Sequence, residues 1–413
     1  MKRRILSAII AGSLIASTLT LSACQSEKSL ETTDLMTGIK AASHETVKPD
    51  DAFKSAYGNF SVELLKKCFD GKSNTLISPL SVSSALTMTA NGQTKDEMEK
   101  VLGSGMHLDE LNKYLSSFSG SLTSGEDFKL KNANSIWFRD EENRLTVEKD
   151  FLQKNADYFG TAIYKRAFDN ATCKEINNWV SDNTDGMINN ILDSIPDEAI
   201  MYLVNAVSFD AEWDIIYREN DIADGKFTNS EDKLMKVTML CSDESIYLED
   251  EDCKGFIKQY KDGKYSFAAI LPGGDIKSFI TSLSGEKLSK ILGSAEDCIV
   301  EVKLPKFGYE YSSKLNDALS ALGMPTAFDQ NNADFSGIGK STMGNISIGE
   351  VIHKTKIEVN EKGTKAGAAA LVELVDEGCV IAEKQVILNR PFMYMILDNE
   401  TMLPLFAGIY TGV

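Results

Sequence analysis

Two hydrophobic periods alternate irregularly along the chain, broken by turn-forming residues. Residues 201–209 are almost wholly apolar and form a short run, the pattern of a strand covered on both faces. Val300, Val302 and Leu304 alternate with Glu301 and Lys303, which predicts a strand with one wet face. Ile357 and Val359 alternate with charged residues in the same way. Helical spacing links Ile176, Trp179 and Val180, and again Leu315, Leu319 and Leu322, where Gly323 is placed to end the helix. Ser78-Pro79 reads as an N-cap and a first-turn proline ahead of residues 80–86. Thr94-Lys95-Asp96-Glu97 reads as a capping box. Helices and strands interleave without a βαβ rhythm, so the expected class is α+β.

One stretch fits neither period as it stands. After Glu361-Lys362-Gly363-Thr364-Lys365-Ala366-Gly367 come Ala368, Ala369 and Ala370, and then Leu371-Val372-Glu373-Leu374-Val375. The alanines suit a surface helix. As a strand, however, Thr364, Ala366, Ala368, Ala370, Val372 and Leu374 would share one face. All six are uncharged. Lys365, Gly367, Ala369, Leu371 and Glu373 would share the other face, which takes both charges. No proline lies between Gly363 and Pro391, so the stretch could join the middle of a sheet without losing ladder hydrogen bonds. The small side chains suit a segment that leaves one place and enters another.

The N-terminus has a different pattern. Lys2, Arg3 and Arg4 precede an apolar run, and Leu21-Ser22-Ala23-Cys24 closes it. This is a signal peptide over residues 1–23. The ending resembles a bacterial lipobox, which would put lipid on Cys24; the alternative is an ordinary secretory signal. The expected product is exported and held on the outer face of the cell membrane, or shed. Residues 24–50, rich in Ser, Thr, Glu, Lys and Asp, read as a flexible tether, with one globular domain over 51–413.

Charge and chemistry then narrow the function. The 413 residues hold 61 acids against 43 bases, a formal net charge of -18. Such a chain is a poor partner for nucleic acid. The wide, irregular spacing of the seven cysteines predicts mostly free thiols, and no C-x-x-C suggests zinc. Residues 337–342 end like a phosphate loop, but Asp334 stands where its first glycine belongs. Ser284-Gly285-Glu286-Lys287 and Ser181-Asp182-Asn183 match penicillin-binding motifs in the wrong order, with no K-T-G. There is no G-x-S-x-G or H-E-x-x-H, and the three histidines (His44, His107 and His353) hardly supply a catalytic base. No catalytic residue, metal or cofactor is expected.

Residues 361–369 resemble the reactive-loop hinge of inhibitory serpins. Asn389-Arg390-Pro391-Phe392-Met393-Tyr394 resembles the signature that follows that loop. Further matches fall in order at residues 74–81, at Asn205-Ala206-Val207-Ser208-Phe209 with Trp213, at Leu304-Pro305-Lys306-Phe307 and at residues 404–408. The resemblance spans roughly residues 52 to 410.

The resemblance implies three β-sheets, eight to nine helices and an exposed reactive-centre loop. It implies a monomeric suicide-substrate inhibitor of serine-type endopeptidases, which traps the acyl-enzyme by inserting the cleaved loop into the central sheet. The alternatives are a non-inhibitory surface-binding serpin and a cell-surface hydrolase. Glu361, Gly363, Thr364, Lys365, Ala366, Gly367, Ala368, Ala369 and Ala370 would form the hinge, with Gly363 permitting a tight turn and Glu361 pairing with Lys306. Ser78, Ser81, Asn205 and His353 match the polar cluster where the central strands part, and Trp213 the aromatic at the insertion point. Lys365 departs from the family, where an acid is usual, and Gly367 stands where alanine is usual. Counting from the hinge puts the scissile bond at Glu377–Gly378, which suits a glutamyl-specific protease. Leu374, Val375, Cys379 and Val380 are alternatives that suit an elastase- or subtilisin-like one.

Overall fold

The apolar run at residues 201–209 is the start of a long central strand whose first nine residues are all buried. The computed structural model describes residues 33–413 except 91–94, 123–124, 126–127, 141–144, 197–198, 262, 343 and 365–381. The main sheet contains β1 (Thr33–Asp34), β2 (Phe128–Arg139), β3 (Ala162–Arg166), β4 (Met201–Glu212), β5 (Phe307–Lys314), β6 (Glu350–Val359) and β7 (Gly363–Thr364). Their spatial order is β1-β3-β2-β4-β7-β6-β5. A second sheet has nine strands and a third has two. Among the described residues there are nine α-helices. This is the mixed α+β class with three sheets.

The helix Pro79–Ala90 is buried along its whole length. It packs against β2 and β4 on one side and against the strand Pro404–Tyr410 of the second sheet on the other. Ser83 and Thr89 turn their hydroxyls back onto the helix, bonding Leu80 O and Leu86 O at 3.0 and 2.8 Å, whereas Ser81 Oγ, Ser84 Oγ and Thr87 Oγ1 are buried with no hydrogen-bond partner. The expected helix over Ile176–Val180 lies within Asn170–Asn183; the one expected over Leu315–Leu322 is Asn316–Leu322, with Leu315 as its N-cap. Gly323 ends the second in a left-handed conformation, φ 119°.

The flexible tether expected up to residue 50 is shorter than its composition suggested. β1 pairs antiparallel with the outer side of β3 and so forms the sheet's edge, and Leu35 N–H donates to Ile163 O at 2.9 Å. Leu35, Met36 and Ile39 pack on the core. Further on, the His44 ring lies 4.8 Å from that of Tyr158, and Val47 N–H donates to Ser117 Oγ at 3.0 Å. A free strand edge and three apolar side chains hold this segment where average polarity predicted solvent. The expected signal peptide, residues 1–23, and Cys24 lie outside the described residues. Among the described residues no helix is long and apolar enough to cross a membrane. Cys68, Cys173, Cys241, Cys253 and Cys298 are free thiols, and burial pushes that of Cys68 up to about 12.

Candidate insertion site

The site is a parting between β4 and β6. At its closed end the two strands pair in parallel over Glu350–Lys354 and Tyr202–Ala206. At the other end β7 lies between them. Thr364 sits opposite Val359 on one side and Ala211 on the other, antiparallel to both. The offset between β4 and β6 is the same in both zones. Over residues 207–210 and 355–358 the two strands face one another with no pairing between them. The slot is therefore a wedge already in register.

A hairpin carries β7 into it. Asn360 N–H donates to Gly363 O at 3.0 Å, and Asn360 Oδ1 accepts from Lys362 N–H at 2.9 Å and Gly363 N–H at 3.3 Å. Asparagine before a tight turn can make these bonds to its own loop. Trp213 anchors the turn: its ring Nε1–H donates to Asn360 O and its backbone N–H to Lys362 O, both at 2.9 Å. The Trp213 ring stacks on Tyr260 at 4.6 Å, and the Tyr260 hydroxyl lies 2.5 Å from Thr364 Oγ1. Burial pushes the Tyr260 phenol far above its ordinary value, so that contact is between neutral hydroxyls. Lys258 Nζ lies 4.7 Å from the centre of the Tyr217 ring and 5.6 Å from that of Trp213, and is paired with Glu244 at 2.7 Å. Asn360, Tyr260 and Lys258 had no part in the sequence reading; only Asn360 carried a local signal, its place before a turn.

Gly363 has a different reason from the one expected. The turn is made at Glu361 and Lys362, and Gly363 is already strand. A Cβ there would come within 2.0 Å of Ala211 O, so glycine is required by close approach to β4 rather than by the turn.

The residues expected at the sheet opening fall into two groups. Trp213 and Lys306 belong with the hairpin. Lys306 Nζ donates to Glu361 Oε2 at 2.6 Å, which holds the Glu361 carboxyl below its ordinary value. Both side chains are substantially exposed, 42% and 32%. Replacing Glu361 with glutamine should therefore lower stability by no more than about 1 kcal/mol in urea unfolding, and high salt should erase the difference.

The other group lies lower down the strands, Asn205 being eight residues from Trp213, or about 26 Å at about 3.3 Å per residue. His353 and Asn205 face one another directly in the parallel zone. Ser78 N–H donates to His353 Nε2 at 3.1 Å, and Ser78 Oγ accepts from Ser81 N–H at 3.4 Å. Asn205 Nδ2 donates to Asn134 Oδ1. Ser81 Oγ, Asn205 Oδ1 and His353 Nδ1 are buried with no hydrogen-bond partner. Burial lowers His353 to about 4, so it is neutral. These groups join helix 79–90 to the point where the strands part. Among the described residues no cluster of His, Cys, Asp or Glu could hold a metal ion.

Residues 55–412 match the family Serpin (serine protease inhibitor). The chain belongs to the serpin family. It is 31% identical to the leukocyte elastase inhibitor of Xenopus tropicalis, over 87% of this chain and 98% of that protein. Among solved structures it resembles the thermophilic serpin tengpin. In the native state tengpin is 44% identical, with a TM-score of 0.89 over 92% of this chain and 100% of that one. In the latent state the TM-score is 0.79, at 42% identity over 89% of this chain and 100% of that one. This serpin thus has the arrangement nearer the native form. Lys365, Ala366, Gly367, Ala368, Ala369 and Ala370, expected in the hinge, lie outside the described residues. So do Leu374, Val375, Glu377, Gly378, Cys379 and Val380, the candidates for the cleaved bond.

Proposed function

We propose that this serpin inhibits serine-type endopeptidases by inserting its cleaved loop between β4 and β6. The observation that carries the reading is the pre-registered wedge with Thr364 already seated in it. On insertion, the continued antiparallel register would put Ala366 between Ile357 and Phe209, Ala368 between Thr355 and Val207, and Ala370 between His353 and Asn205. All six flanking residues are buried. The uncharged parity of the loop would thus meet the covered face of the sheet, and the closed zone would part pair by pair to admit it.

The chemistry belongs to the protease. Its serine attacks the carbonyl of the residue before the cleaved bond and forms an ester, and the new amine leaves with a proton. Insertion of residues 364–377, about 46 Å of strand at about 3.3 Å per residue, carries the ester-linked protease along the sheet before water reaches it. The bond is Glu377–Gly378 for a glutamyl-specific protease. It lies nearer Leu374, Val375, Cys379 or Val380 for an elastase- or subtilisin-like one. Lipid on Cys24 would hold the inhibitor, as a monomer, on the outer face of the cell membrane.

Incubation of the purified domain with a panel of serine proteases tests this. The expected result is an SDS-stable complex with at least one of them, and the mass of the released C-terminal peptide identifies the bond. Cleavage by every protease without a complex would overturn the inhibitory reading.

A further inference from the structure

The turn that carries β7 is held from behind by two residues of one loop. Trp213 and Tyr217 donate their backbone N–H groups to the turn carbonyls Lys362 O and Glu361 O, both at 2.9 Å. Between them Asp214 and Ile215 are exposed. The loop leaves β4 and at once joins the second sheet: Trp213 pairs antiparallel with Tyr260, and Asp214 N–H donates to Gln259 O at 3.1 Å. The rings of the same two residues, Trp213 and Tyr217, lie against one ammonium, Lys258 Nζ, at 5.6 and 4.7 Å from their centres. Lys258 comes from the strand Cys253–Gln259, and its counter-ion Glu244 from the neighbouring strand Leu234–Asp250. Pairing between those strands runs as far as Ile246 and Ile257, and the ion pair closes the fork beyond it. The two side chains are 4% and 10% exposed, which makes this a desolvated pair and not a surface one. Glu244 Oε1 also accepts from Ser242 Oγ at 2.6 Å, and Ser242 Oγ lies 3.4 Å from Tyr217 Oη.

We propose that Lys258 and Glu244 are positioning residues for capture: the ammonium holds the Trp213 and Tyr217 rings, and through them fixes the turn about which the hinge enters the sheet. As a stabiliser alone, a buried ion pair is replaceable, since packed apolar side chains can take its place without loss. What they cannot supply is the attraction of a desolvated cation for two ring faces. Holding both rings holds both N–H donors, and with them the carbonyls of Glu361 and Lys362. Thr364 is seated directly after this turn, and the rest of the loop would enter behind it. Every step of insertion therefore swings on a pivot that the second sheet keeps in place. This role rests on the insertion reading above and adds what aims the hinge.

The test uses Lys258→Met, the double variant Lys258→Met with Glu244→Leu, and Lys258→Arg, each mixed with a serine protease that the wild type captures. Lys258→Met leaves a buried carboxylate without its cation and should unfold at lower urea than wild type. The double variant should regain the wild-type urea midpoint. It should nevertheless consume about threefold or more inhibitor per SDS-stable complex, the excess appearing as cleaved serpin. Lys258→Arg keeps a cation against both rings and should stay within about twofold of wild type. Tyr217→Leu removes one ring and spares the ion pair and the backbone donor, and it should raise consumption as the double variant does. Wild-type consumption by either the double variant or Tyr217→Leu would overturn the positioning role and leave the insertion reading standing. The absence of any complex between wild type and a panel of serine proteases would overturn the insertion reading and this role with it.

Discussion

Arginine in place of Thr364 is expected to abolish protease capture while leaving loop cleavage intact. Thr364 is only 2% exposed, lies between Val359 and Ala211, and meets the Tyr260 hydroxyl at 2.5 Å. Tyr260 is itself pinned by the stacked Trp213 ring. A guanidinium has neither room nor a counter-charge in that layer, and burying an unpaired charge costs several kcal/mol. The hinge would be expelled from its first seat, and each later residue would have to enter behind it. Protease would cut the loop as a substrate. Gels should show cleaved serpin and free enzyme without an SDS-stable band, and the stability gain on cleavage should shrink. Thr364→Val keeps the volume and loses only the hydroxyl contact. It should retain capture at a cost of about 1 kcal/mol. Capture by Thr364→Arg at the wild-type level would remove the seated hinge from the mechanism.

This expectation was readable from parity alone, because strand side chains alternate whatever sheet they enter. The alternation at residues 364–374 puts the uncharged side chains on one face, and Thr364, the one of them among the described residues, is buried. Local propensity alone favours a helix for the alanines. The partners came from distant sequence. Tyr260 reaches Thr364 because two sheets meet there, and nothing around residue 260 announces it. Ser78, Ser81, Asn205 and His353, which match one polar cluster, lie together as a lower latch. Trp213, one residue beyond β4, belongs to a separate hairpin anchor, a spacing fixed by strand rise. Composition misled at the N-terminus, where Leu35, Met36 and Ile39 were diluted by polar neighbours yet suffice to hold the segment on the core.

The latch carries the second large expectation, a loss of stability in acid. His353 is 1% exposed, and burial lowers it to about 4 from an ordinary 6.5. Below pH 6.5 the unfolded chain therefore binds a proton that the folded chain refuses. The stability present above pH 6.5 falls as pH drops and is fully lost as pH passes below about 4. A shift of this size corresponds to roughly 3 kcal/mol. The structural cause is specific. His353 Nε2 accepts the Ser78 N–H at the start of the buried helix, and a protonated ring cannot accept. Acid should thus loosen helix 79–90 from the point where β4 and β6 part, and favour opening of the sheet without a protease. His353→Gln keeps an acceptor for Ser78 and removes the titration. Urea unfolding of both proteins between pH 4 and 7.5 should give a difference that grows toward acid, with wild type losing more. Parallel curves over that range would mean that His353 does not set the acid response, and that the latch holds by packing rather than by its neutral imidazole.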